Sequence, residues 1–157
     1  ISHGIDGADW QQAIGFAVAA ARAGESEGNW IAGGTVAARI TWALDLVENC
    51  SLEEGIALVF DRVGTSVASQ ESVPAAFAVL KLARGDAWQA AVIAANLGGD
   101  TDTIGAIAGS MAGACAGYDS LPADRISRLV GIDLDATRDL ARRLAAARGA
   151  SQGAMHG

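Results

Sequence analysis

Asn96-Leu-Gly-Gly-Asp-Thr-Asp-Thr-Ile104 is the stretch on which the reading of this chain turns. It places two carboxylates at i and i+2 around a hydroxyl, directly after two glycines that free the backbone. The segment from Ile104 to Tyr118, next along the chain, is the longest weakly polar run in the sequence, rich in Ala and Gly and broken by Ser110. Within it Gly105, Gly109, Gly113 and Gly117 recur at a spacing of four, one stripe of a helix beginning near Thr101. Mid-helix glycine costs up to about 1 kcal/mol against alanine, so the pattern predicts a helix held by close packing of a neighbouring backbone. The run is too short and too weakly apolar to cross a bilayer, which takes roughly 20 strongly apolar residues.

Working outward, helical text surrounds this stretch on both sides. Alanine is the commonest residue and β-branched runs are short, which favours an all-α chain. Trp10, Ile14, Ala17, Val18 and Ala21 share one face of a helix ending near Gly24, followed by a loop to Asn29. A second helix is predicted from about Thr35 to Glu48, with Val36, Ile40, Ala43, Leu44 and Val47 inward. Ser51-Leu-Glu-Glu54 has capping-box form and opens a third, through Ile56, Val59, Phe60 and Val63 to Gly64. Ser72-Val-Pro74 is read as the start of a fourth, since proline suits a first turn. Asp86 caps a fifth that ends at Gly98-Gly99. Two more are expected, from Pro122 to Val130 and from Asp135 to Arg148, with Gly149 to Gly157 as a frayed tail.

Composition bounds the rest. The chain has 157 residues, 51% hydrophobic and 18% charged, enough for one domain with a core and too apolar for disorder. Eleven basic residues against 18 acidic ones give a net charge of −7. Apart from Arg142-Arg143 there is no basic cluster, so the counterion-displacing face that nucleic acid requires is missing. Two cysteines, Cys50 and Cys115, are too few for a secreted disulfide framework and read as free thiols in a reducing, cytoplasmic setting. No signal-peptide pattern opens the chain.

Three chemistries compete for the Asp100–Thr103 turn. A helix cap accounts for one carboxylate well and the second poorly, because two anions ahead of an apolar helix repel unless a cation lies between them. A phosphate cradle fails on sign, and there is neither a strand before the glycines nor a lysine after them. A hard-metal site fits the donors, since carboxylate and hydroxyl oxygens are the ligand set of Mg²⁺ or Mn²⁺. An EF-hand is excluded by Ile104 and Met111 at ligand positions, and zinc by the absence of nearby His or Cys.

Gly98-Gly-Asp-Thr-Asp-Thr-Ile104, with the Ala/Gly repeats and Gly113-Ala-Cys-Ala-Gly117, resembles the C-terminal signature of ADP-ribosylglycohydrolases. These include the dinitrogenase-reductase-activating glycohydrolases and the ADP-ribosylserine hydrolases. Glu71-Ser-Val-Pro-Ala-Ala76 is similar to the segment upstream of that signature, and Ile1-Ser-His3 to a central Ser/Thr-His element, so the resemblance extends to about Pro122. It implies an orthogonal all-α fold carrying two Mg²⁺ (or Mn²⁺) ions that engage the ribose of ADP-ribose. By matching position it implies Asp100 and Asp102 as catalytic metal ligands together with Thr103, and His3 in contact with the nucleotide. The loop Gly64-Thr-Ser-Val-Ala-Ser69 would approach the ligand through its backbone, Val67 foremost, while Glu71 is read as a cap or packing residue.

The family's N-terminal half, with a Thr-Asp-Asp triplet of further ligands and the acidic residue implicated in catalysis, has no counterpart here. The expectation is therefore a C-terminal half spanning residues 1–148, with a flexible tail over 149–157. Its expected partners are an N-terminal half, as a separate or cleaved chain, and an ADP-ribosylated protein or ADP-ribose. The implied activity is release of ADP-ribose by cleavage of an N- or O-glycosidic bond. The alternatives are hydrolysis of another ADP-ribosyl or ribosyl compound and a non-catalytic scaffold, as among the family's lens crystallins. An inert scaffold has no need of paired carboxylates, which favours an enzyme.

Overall fold

The computed structural model describes residues 1–29 and 32–154, with side chains to residue 149. The chain divides into two compact units, Ile1–Pro122 and the residues from Ala123 onward. The sequence reading treats residues 1–148 as a single body. Among the described residues there are helices and turns and no strand. The fold is all-α.

In the first unit the helices are α1 (Ser2–Ile5), α2 (Trp10–Gly24), α3 (Val36–Leu46), α4 (Leu52–Leu58), α5 (Ser69–Leu82), α6 (Ala87–Leu97) and α7 (Thr101–Ala116). Their beginnings are set by side chains accepting orphan N–H groups. Asp9 and Gln12 form a reciprocal capping box on α2, and Ser51 and Glu54 another on α4. Thr35 accepts from Ala38, and Asp86 from Gln89 at 2.8 Å.

Helix α5 is the centre of the unit. Ser72 and every residue from Pro74 to Leu80 are buried, against α3 on one side and α6 and α7 on others. The core is built from small side chains, Ala43, Ala75, Ala76, Ala78, Ala90, Ala94 and Ala108, with Val59, Val79, Ile93 and Ile104 as the larger members. Alanines let helix axes approach closely, so interlocking backbones replace the bulk that large side chains supply elsewhere. A satellite cluster of Leu80, Ala87 and Ala112 holds Trp10 and Ile14 of α2.

Two local expectations are corrected. Helix α5 begins at Ser69, so Pro74 lies inside it rather than in its first turn. Helix α4 passes into a π turn over Val59–Val63, closed by the Gly64 N–H to the Val59 carbonyl at 3.0 Å. Within that turn Val59 and Val63 are buried and Phe60 stands 53% exposed. The glycine stripe of α7, read in the sequence as awaiting a close neighbour, stands open along much of its length. A Cβ at Gly105 would touch Ala94 at an ordinary 3.4 Å, while Gly109 and Gly113 have no described atom within 4 Å of that position. Tight packing on this helix comes from fully buried Ala108 and Ala112, and from Gly4 of α1 against Ala114 and Cys115.

The second unit holds α8 (Ala123–Ile126) and α9 (Leu134–Ala154). Helix α8 is shorter than the predicted Pro122–Val130 segment. Helix α9 continues through residues 149–154, where the sequence suggested fraying; the end of the expected tail, 155–157, lies outside the described residues.

Candidate functional site

Helix α6 ends at Leu97 and α7 begins at Thr101, leaving a two-glycine corner in which Gly99 has φ +75°. Left-handed backbone of this kind is costly for any residue carrying a Cβ. A second constraint selects glycine as well: a Cβ on Gly99 would fall 2.3 Å from the Thr65 carbonyl oxygen. Thr65, itself buried at 7% exposure, belongs to the loop between the π turn and α5. Its carbonyl accepts the Asp100 N–H at 2.7 Å. The corner and the loop are thereby joined at the backbone, and that bond sets where Asp100 stands.

Asp100 is the N-cap residue of α7, yet its side chain makes no capping hydrogen bond. The cap reading of this carboxylate therefore fails, since a capping Asp spends its oxygens on the N–H groups of the first turn. Asp100 is half-buried, Asp102 exposed and Thr103 half-buried, all within one turn. Neither carboxylate forms an ion pair among the described residues. What remains is a turn of hard oxygen donors at the N-terminal, positive end of α7. The donor chemistry suits a divalent cation such as Mg²⁺ or Mn²⁺. It does not enclose one: among the described residues no three His, Cys, Asp or Glu side chains stand close enough to hold an ion.

The loop beside this turn carries Val67, 85% exposed, and is fixed from inside by Glu71, whose carboxylate accepts the Ser66 N–H at 3.1 Å. Hydrogen bonds from the Ser66 side chain and backbone, with the charge of Arg39 adding less, hold the Glu71 carboxyl below its usual range. Its reading as a structural residue agrees with this geometry. The ring of Phe60 stands over the same corner, 3.2 Å from where a Gly98 Cβ would be.

His3 is not part of this constellation. It sits on α1, and the next residue, Gly4, packs against Ala114 and Cys115 near the far end of α7. From Asp100 to Ala114 the helical rise amounts to about 21 Å. The His3 ring stacks on Phe16, with centroids 3.7 Å apart. The structure does not bring His3 to the Asp100 turn.

Sequence reasoning missed Arg39. Its Nη2 donates to the Val63 carbonyl at 2.7 Å and its Nε to the Gln70 carbonyl, one on each side of the loop. Its guanidinium also lies over the Trp42 ring, 5.7 Å from the centroid. Only Pro74, which cannot donate to the Gln70 carbonyl four residues back, hinted that a distant donor was needed.

An all-α body with an Asp-Thr-Asp-Thr turn at a helix start, fixed by a braced loop alongside, defines the class: a helical protein with one acidic corner held from a neighbouring loop. The sequence profile of the ADP-ribosylglycohydrolase family matches residues 1–154, and the chain belongs to that family of glycohydrolases. It is also 37% identical over 122 residues to the uncharacterized protein YegU of Escherichia coli (strain K12), covering 77% of this chain and 36% of that protein. The chain thus spans about a third of the length of that relative. No solved structure matches. None of the described helices is long and apolar enough to cross a membrane.

Proposed function

We propose that this chain forms part of a metal-dependent glycohydrolase that removes ADP-ribose from a modified protein side chain. The carrying observation is the Asp100 carboxylate, stationed at the start of α7 without the capping bond that its position normally supplies. Asp100, Asp102 and Thr103 would be ligands to two Mg²⁺ or Mn²⁺ ions. When bound, such ions supply Lewis acidity and hold the ribose hydroxyls in place. The chain's own residues would do the positioning: the backbone bond from Asp100 to Thr65 fixes one ligand, and exposed Val67 with its neighbouring backbone borders the nucleotide. In the overall reaction water adds at the anomeric carbon, the bond to the side-chain nitrogen or oxygen breaks, and the proton passes to that leaving atom through an oxocarbenium-like transition state.

Three ligands on one turn cannot satisfy two six-coordinate ions. The remaining ligands, and the group that moves the proton, would come from an N-terminal half carrying a Thr-Asp-Asp triplet. Both cysteines are free thiols, which accords with a cytoplasmic setting. The test is a Mn²⁺ titration followed by electron paramagnetic resonance, in the presence of the complementary half, alongside release of ADP-ribose from a modified protein. Asp102→Ala should abolish both while preserving the helical circular dichroism. Unchanged turnover in that variant would remove Asp102 from the site.

A further inference from the structure

Two carbonyls flank the loop beside the acidic turn, and each is denied a helical partner for its own reason. Val63 ends the π turn, where the chain leaves the helix and its carbonyl has no following N–H to accept. Gln70 lies four residues before Pro74, which has no N–H to offer. One side chain from a different helix, Arg39 of α3, serves both carbonyls with two adjacent donors of its planar fork. The mouth of the loop is therefore closed by a guanidinium, much as a staple closes two edges.

Inside the staple the loop is ordered by Glu71, which accepts from the Ser66 N–H, and Gly64 at φ +87° lets that carboxylate come close. Thr65, between Gly64 and Ser66, then presents its carbonyl to the Asp100 N–H at 2.7 Å. A continuous series of hydrogen bonds and backbone leads from α3 to the acidic turn.

We propose that Arg39 is a positioning residue for this turn: by bridging the Val63 and Gln70 carbonyls it holds the loop where Thr65 sets Asp100. The functional consequence rests on the reading of Asp100 as a metal ligand, whereas the positioning itself does not. A filler that only satisfied the carbonyl orphaned by Pro74 would be dispensable once that carbonyl had another donor. A bridge would not be, because the second carbonyl and the span between the two would still be lost.

Amide hydrogen exchange on the full chain separates these cases. In Arg39→Ala the Asp100 and Ser66 amides should exchange about tenfold faster or more, while those of Ala78 and Ala108 in the core keep their protection. Pro74→Ala added to Arg39→Ala returns a donor to Gln70 and should recover thermal stability without recovering Asp100 protection. Arg39→Lys keeps the charge but reaches one carbonyl at a time, so it should still speed exchange at Asp100; this variant decides the matter if Arg39→Ala does not fold. Unchanged Asp100 exchange in the variant that folds, or its full recovery on adding Pro74→Ala, would overturn the proposal. With the complementary half present, Mn²⁺ affinity should fall in step with Asp100 protection. Wild-type protein that retains no Mn²⁺ would refute the metal reading, and the exchange data would still decide the role of Arg39.

Discussion

Replacing Gly99 by alanine should be strongly damaging for a single added methyl. The left-handed conformation at φ +75° costs an alanine about 1–2 kcal/mol relative to glycine. The new Cβ would also lie 2.3 Å from the Thr65 carbonyl oxygen and as close to its Oγ1, so loop and corner must separate. Separation loses the Asp100 N–H···O Thr65 bond, worth about 0.5–1.5 kcal/mol net, and leaves a poorly solvated carbonyl. Together these terms predict a loss of about 2–4 kcal/mol in urea unfolding, read as a lower midpoint at unchanged slope. Gly109→Ala is the internal control. It sits mid-helix with no described atom within 4 Å of its Cβ position, so the same methyl should stabilise by up to about 1 kcal/mol. A Gly99→Ala variant as stable as the parent would refute the left-handed corner and, with it, the join between loop and turn.

Ile104→Ala should cost about 2–5 kcal/mol, because Ile104 is fully buried directly behind the Asp102-Thr103 pair; thermal unfolding measures it. Glu71 contributes stability with a definite pH sense. Its carboxyl is held below the usual range in the fold, so the contribution is present above the unfolded value and lost as pH falls through the folded one. Protection of the Ser66 amide should fall over that acidic range, and Glu71→Gln should flatten the dependence. Burial raises the Cys115 thiol, and the charge of Asp9 raises it slightly further, so iodoacetamide should alkylate it more slowly at pH 8 than it does glutathione.

Local chemistry in the sequence located the helices wherever one short segment decides the matter. Ser51 and Glu54 cap α4 as read, Asp86 caps α6, and the Gly98-Gly99 corner falls between two helices. The errors arise where a partner distant in sequence intervenes. Pro74 sits in the interior of α5 because Arg39 supplies the Gln70 carbonyl with a donor from another helix, which no pattern around residue 74 records. Phe60 faces outward from the π turn while Val59 and Val63 are buried, a distinction that apolar spacing alone does not make. At the site, the donor residues are legible by type and spacing. Their fixation is not, since it depends on a backbone bond between residues 65 and 100. For His3 the sequence supplied a residue type and not a place in the fold, which is on α1 beside the far end of α7.

The π turn at Val59–Val63 has a consequence for the length of the chain as well as for its shape. A helix widened by one residue is a tolerated insertion, and deleting any one of the five should let α4 run on as ordinary α-helix. Because the π turn holds its extra residue within a single turn, helix content and the direction of the groups beyond the deletion would both be kept. The Val63 carbonyl would then stay within reach of Arg39, and the loop would start from the same side of the helix. Chain length therefore has slack here: shortening this segment by one residue should spare the helix and leave the corner it serves in place.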